Sequence, residues 1–197
     1  MEKHVLGLEL PTDPRWVDIA KKNIADILTD HAYCEQKAAT SCISLIVQFF
    51  DKEKLVETLT PLVTEEWGHF SLVLDELNKR NLALGPPRKD DYVEELNKLI
   101  KKGGNRAQQL VEKLLLNALI EARSCERFRL LWKEINDKEL SNFYYELMVS
   151  EAGHYKNFLA LAKEYHNPEE VLIRWHELLT LEAEIMKDLQ LRGDRMH

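Results

Sequence analysis

Apolar and small residues recur at helical spacing from just after Pro14 to Phe50-Asp51, through Trp16, Ile19, Ala20, Ile24, Ile27, Leu28, Ala38, Ala39, Cys42, Leu45 and Ile46, with His31 and Glu35 on the same stripe. Thr12-Asp13-Pro14 is a helix-opening signal, so the pattern predicts one helix of more than thirty residues. A second stripe, Leu55, Leu59, Leu62, Glu66, His69, Val73 and Leu77, predicts a helix from Lys52 to Asn81, with a kink or short break at Pro61. The connection from Leu82 to Arg106 contains Gly85-Pro86-Pro87, a short predicted helix from Asp90 to Lys102, and the flexible pair Gly103-Gly104. A third helix is predicted from Asn105 to Ile135, a turn at Asn136-Asp137, and a fourth helix from Lys138 to Tyr165. A fifth then runs from Pro168 to Leu191 before a polar tail.

Two long helical hairpins joined by a long crossover are the layout of an all-α, ferritin-like four-helix bundle. Here the crossover falls between helices 2 and 3, and an additional C-terminal helix follows. Seven Gly and six Pro among 197 residues leave little turn punctuation, which favours a few long helices over many strands. The length suits one domain over residues 1–197, and 45% hydrophobic with 31% charged residues suits a globular chain. The longest apolar run, Ile43 to Phe50, is broken by Ser44 and Gln48, so no membrane span is expected. Glu2, Lys3 and His4 lack the layout of a secretory signal. Cys34, Cys42 and Cys125 fit neither a disulfide framework nor a zinc motif; they read as small buried core residues in a reducing cytoplasm. A formal charge of −7 argues against indiscriminate nucleic-acid binding but leaves room for a local basic patch.

The chemistry lies in polar residues on the inward stripes. Glu66-Trp67-Gly68-His69 and Glu151-Ala152-Gly153-His154 repeat a Glu-x-x-His spacing, which places each carboxylate and imidazole on one helix face. A dinuclear bundle site also needs one Glu from each remaining helix. On the first helix Glu35 interrupts an otherwise apolar stripe; on the third, Glu121 and Glu126 compete. Residues equidistant from a hairpin turn lie at one level. Glu35 and Glu66 are centred on the Phe50-Asp51 turn, and Glu121 and Glu151 on Asn136. Choosing Glu126 would put the levels out of step by roughly 7 Å, so the geometry selects Glu121. The halves repeat: Glu35 to Glu121 spans 86 residues, and Glu66 to Glu151 and His69 to His154 each span 85. Small residues follow both single carboxylates, Ala38-Ala39 and Ser124-Cys125, leaving clearance between helices.

Four unpaired buried carboxylates would cost several kcal/mol each, a penalty that two divalent cations remove. Six ligands, Glu35, Glu66, His69, Glu121, Glu151 and His154, without a thiolate, suit iron or manganese. Two reducible irons with open positions permit oxygen activation. His31 and Asn117, one turn before Glu35 and Glu121, are candidates to hydrogen-bond a ligand. Tyr144 shares the face of Glu151 and reads as a packed aromatic, as do Trp67 and Tyr155. Arg123 and Arg127 are expected to pair with nearby carboxylates.

Several stretches resemble the bacterial tRNA hydroxylases of the MiaE type. They are Asp30-His31-Ala32-Tyr33-Cys34-Glu35-Gln36-Lys37-Ala38-Ala39, Glu65-Glu66-Trp67-Gly68-His69-Phe70, Ile120-Glu121-Ala122-Arg123-Ser124-Cys125-Glu126-Arg127-Phe128 and Ser150-Glu151-Ala152-Gly153-His154-Tyr155. The resemblance implies an oxygen-dependent di-iron monooxygenase that hydroxylates the isopentenyl side chain of 2-methylthio-isopentenyladenosine in tRNA. It also implies that the six residues are iron ligands, with Glu66 and Glu151 bridging. Such an enzyme would draw on an external electron donor, act in the cytoplasm and exist as a monomer or small homo-oligomer. The crossover cations Arg88, Lys89, Lys98, Lys101, Lys102 and Arg106 are candidate phosphate contacts, diluted by Asp90, Asp91, Glu94 and Glu95. The alternative reading of the same six ligands is a ferritin-like protein that oxidises and stores iron or scavenges peroxide.

Overall fold

A computed structural model describes residues 5–197. Glu2, Lys3 and His4, on which the argument against a secretory signal rests, lie outside the described residues. Every regular element among the described residues is helical: a 3-10 turn Val5–Gly7, then α1 Arg15–Ala20, α2 Ile24–Gln48, α3 Glu53–Lys79, α4 Asp91–Lys98, α5 Arg106–Glu134, α6 Lys138–Tyr165 and α7 Pro168–Asp188. None of these helices is long and apolar enough to cross a membrane. The described residues form two compact units, one of Pro14–Lys89 with Arg192–Met196, the other of 5–13, Asp90–Leu191 and His197.

In the first unit α2 and α3 form an antiparallel hairpin whose turn closes through Phe49 N–H to Leu45 O and Lys52 N–H to Phe49 O, both at 2.9 Å. Ile27, Leu28, Ala39, Cys42 and Leu45 on α2 are buried, as are Leu55, Leu59, Leu62, Val73 and Leu77 on α3. This is the one-sided pattern expected of amphipathic helices. The single long first helix read from the sequence is in fact two, broken at 21–23. Asn23 leaves helical backbone geometry at φ −127° and ψ 43°, and its side-chain amide donates to Ile19 O at 2.9 Å. An Asn that serves backbone groups in this way competes with the helical ladder.

Pro61, in contrast, does not interrupt α3, which runs from Glu53 to Lys79. Pro61 is exposed, so the Glu57 carbonyl that loses its helical donor stays open to water instead of being stranded in the core.

The C-terminal segment is more than a polar tail. Met196 is fully buried and its N–H donates to Asp30 Oδ2 at 2.8 Å, while Trp16 Nε1–H donates to Arg195 O at 3.2 Å. Gly193 permits this approach: a Cβ there would fall 2.1 Å from Ile19 Cγ2.

In the second unit α5 and α6 form the other hairpin. Asp137 caps α6, accepting from the N–H groups of Glu139 and Leu140, as the Asn136-Asp137 turn signal predicts. Asn105 and Gln108 form a reciprocal capping box at the start of α5, just after Gly103 and Gly104 at φ +91° and +76°. Asn167 and Pro168 open α7. The crossover helix ends at Lys98, four residues short of its predicted limit. α5 is buried on nearly every face, from Leu110 to Leu131. An all-round buried helix marks the centre of a core.

Candidate metal centre

The first unit brings three expected ligands together. Glu35, Glu66 and His69 each offer a ligand atom within 4.8 Å of the others'. Glu35 and Glu66 are buried, and His69 is only slightly exposed. His69 Nδ1 lies 3.5 Å from Glu66 Oε2 and 3.6 Å from Glu35 Oε2. His31, fully buried, makes a 2.6 Å hydrogen bond through Nε2 to Glu35 Oε1. The second unit repeats the arrangement. Glu121, Glu151 and His154 converge within 4.8 Å, all buried, with His154 Nδ1 3.6 Å from Glu151 Oε2. Ser150 Oγ stands 3.4 Å from the other ring nitrogen of His154.

These spacings suit a cation. At 3.5–3.6 Å the Nδ1 and Oε2 atoms are too far apart for a normal N–H···O hydrogen bond. Two atoms each about 2.1 Å from one divalent ion stand roughly 3.0–3.4 Å apart, so each pair is a jaw slightly wider than an ion requires. Each triad also sets two buried carboxylates beside one imidazole, a donor set matched to iron or manganese and poorly matched to water-free isolation.

Glu126, the rival to Glu121, is committed elsewhere. Its carboxylate accepts from Thr12 N–H at 3.0 Å and Thr12 Oγ1–H at 2.6 Å, and from Arg123. Arg123 in turn donates to Glu182 through Nε at 3.0 Å and Nη2 at 2.7 Å, and to Leu10 O at 3.0 Å. Tyr92 O–H completes the group by donating to Glu182 at 3.1 Å. Burial pushes the Glu182 carboxyl up and the Tyr92 hydroxyl well up; burial works against the Arg123 guanidinium, but the carboxylates of Glu182 and Glu126 raise it nonetheless. Sequence reasoning anticipated that Arg123 pairs but missed this network. The available signal was Glu182 itself, an acid between Leu178-Leu179 and Ala183 on the buried stripe of α7. Asp30, adjacent to His31 and bonded to the C-terminal segment, was missed too, since nothing local marks it as buried.

Other expectations divide. Tyr144 is a packed aromatic beside Phe128, ring centres 5.5 Å apart, and Tyr155 packs at a tilt against Trp175, ring centres 5.8 Å apart. Trp67 does not pack inward: it is 51% exposed, because the turn that aims Glu66 into the core turns the next residue outward. Cys42 and Cys125 are buried as expected, but Cys34 is only half-buried. Burial, reinforced by the Glu151 charge, pushes the Cys125 thiol up to about 12. The Asn117 amide donates to Lys113 O at 2.8 Å. Among the crossover cations, Arg88 pairs with Asp26 and Asp194, Lys98 with Glu95, and Lys101 with Glu177 at 2.8 Å. Lys101 and Lys102 line a cleft of about 270 Å³ beside Gly103-Gly104.

Fold and residues together define the class: an all-α, ferritin-like helical protein with buried carboxylate–histidine triads. A solved structure from Synechococcus, titled a protein with aldehyde deformylating oxygenase activity, superposes with a TM-score of 0.90 at 33% identity, covering 96% of this chain and 94% of that one. The profile of the family described as tRNA-(MS[2]IO[6]A)-hydroxylase (MiaE) matches residues 1–197, and the chain belongs to that family. A Pseudomonas putida relative named tRNA 2-(methylsulfanyl)-N(6)-isopentenyladenosine(37) hydroxylase is 35% identical over 164 residues, 83% of this chain and 78% of its own length. A Salmonella typhimurium relative of the same name is 28% identical over 237 residues, 95% of this chain and 85% of its own. These relatives support the hydroxylase reading and give the iron-storage alternative no support.

Proposed function

We propose that Glu35, Glu66 and His69 together with Glu121, Glu151 and His154 hold two iron ions within a single domain, and that the protein hydroxylates the isopentenyl side chain of 2-methylthio-isopentenyladenosine in tRNA. The observation that carries this reading is the duplicated buried jaw: the same Nδ1 and Oε2 atoms, three residues apart, at 3.5 Å on α3 and 3.6 Å on α6, in a chain of the MiaE family. Bound and reduced, the iron pair supplies activation of molecular oxygen sufficient to hydroxylate an unactivated carbon.

The protein's own contribution is positioning and dryness. The His31 bond to Glu35 Oε1 leaves Oε2 facing His69, so the buried imidazole fixes which oxygen is offered to the metal. Ser150 acts from the far side of the His154 ring, where a hydrogen bond sets the tautomer that leaves Nδ1 as the ligand atom. Burial of Glu35, Glu66, Glu121, Glu151 and His154 keeps bulk water away from them and strengthens each electrostatic contact. An external donor supplies the electrons. The tRNA is held through its phosphates by the crossover cations Arg88, Lys89, Lys98, Lys101, Lys102 and Arg106, of which Lys98 and Lys101 are shared with Glu95 and Glu177, and Arg88 with Asp26 and Asp194. The setting is cytoplasmic, and the working form is a monomer or small homo-oligomer.

The decisive experiment incubates the reduced, iron-loaded protein with oxygen and prenylated tRNA, followed by mass analysis of the released nucleosides. A gain of one oxygen on the modified adenosine is expected. An unchanged nucleoside from protein that carries about two irons per chain would overturn the substrate assignment while leaving the metal centre standing.

A further inference from the structure

Each Glu–His jaw encloses a glycine, Gly68 between Glu66 and His69 and Gly153 between Glu151 and His154. Both lie deep inside long helices, Glu53–Lys79 and Lys138–Tyr165, where glycine is the least favourable residue after proline. Glycine inside a helix is ordinarily explained by a close approach or by positive φ. Neither applies here. A Cβ built at Gly68 or at Gly153 meets no atom within 4 Å, and the glycines with positive φ are Gly7, Gly103 and Gly104. Packing therefore accepts alanine at both places, and the helices would be firmer for it.

The cost is carried twice, at the same register, inside the two turns that present the jaws. A helical turn containing glycine is held less firmly than one containing alanine, because glycine has more backbone freedom to regain when the turn distorts. Each jaw stands open at 3.5–3.6 Å, a little wider than one ion holds two ligands. Narrowing it takes a few tenths of an ångström, shared between the side-chain torsions and the turn that carries them, and the residue at the turn's centre sets how readily the backbone contributes.

We infer that Gly68 and Gly153 are positioning residues that keep the two ligand-bearing turns pliable, so that each Glu–His pair can close on a metal ion and reopen. This rests on the metal reading proposed above and deepens it. The glycines act through Glu66, His69, Glu151 and His154 and touch no substrate.

The test compares the native chain with Gly68→Ala, Gly153→Ala and the double variant, with Thr60→Ala as a control that alters an exposed position on α3 away from the jaw. Thermal melts of the metal-free proteins, anaerobic ferrous-iron titration, and amide hydrogen exchange across residues 66–69 and 151–154 are read with and without iron. Each Gly→Ala variant is expected to melt about 2–4 °C higher. Ferrous-iron affinity should fall on the order of tenfold, the range found when a ligand's support is altered. Exchange in the affected turn should slow in the metal-free state, and Thr60→Ala should leave iron affinity unchanged. Alanine variants that bind iron as tightly as the native chain would overturn the inference, as would variants that melt lower, since the glycines would then be packing requirements. A native chain that takes up no iron is a different result, and overturns the metal reading itself.

Discussion

Replacing Arg123 with Met is the sharpest test of the buried polar network of the second unit. Arg123 and Glu182 are both fully buried, and Glu126 is nearly so. The substitution keeps the aliphatic stem but removes the guanidinium that donates to Glu182, Glu126, Thr12 and Leu10 O. Glu126 keeps its two bonds from Thr12, whereas Glu182 keeps only the Tyr92 hydroxyl. Breaking a buried pair by removing one partner costs about 3–5 kcal/mol. For a chain of this size that corresponds to a fall in Tm of about 6–20 °C.

Urea unfolding followed by far-ultraviolet circular dichroism, with an unchanged m value, measures the loss. Its pH dependence has a definite sign. Burial already raises the Glu182 carboxyl above its ordinary 4.5, and Arg123 is the main influence lowering it, so the variant's Glu182 rises further. From about 4.5 upward the folded variant then holds a proton that the unfolded chain has released. Stability from this group falls as pH rises through that window, and the deficit relative to the native chain shrinks on acidification. A loss under about 1 kcal/mol at pH 7, or a deficit that grows as pH is lowered, would refute the account.

Three further outcomes are expected. Glu66→Ala or Glu151→Ala should abolish iron retention and turnover while far-ultraviolet ellipticity stays largely helical; either variant that keeps both metals and activity contradicts the ligand assignment. His31→Ala should weaken ferrous-iron binding about 10–100-fold by releasing Glu35 Oε1, measured by anaerobic titration, and unaltered affinity would remove His31 from the site. In native protein an alkylating reagent should modify half-buried Cys34 first, because burial holds the Cys125 thiol up near 12 and keeps it protonated, with Cys42 and Cys125 reacting only on unfolding; mass mapping of the adducts decides this.

Much of this protein was legible in the chain itself because its signals are local and periodic. Helical stripes, the caps at Asn105, Asp137 and Asn167, and the repeated Glu-x-x-His spacing depend on residues a turn or two apart, and hairpin levels preferred Glu121 to Glu126 by counting alone. Tertiary structure decided what depends on distant partners. Asn23, out of helical geometry, separates α1 from α2, and a C-terminal segment packs through Gly193 against Ile19; no local pattern announces that approach. The burial of Asp30 beneath Met196, and of Glu182 against Arg123, is equally silent in sequence, since a charged residue on a stripe looks the same whether water or a guanidinium waits for it. Periodicity says which face a side chain shares. Only the folded chain says what stands opposite that face, because the free energy of a buried charge is set by the partner and not by the residue.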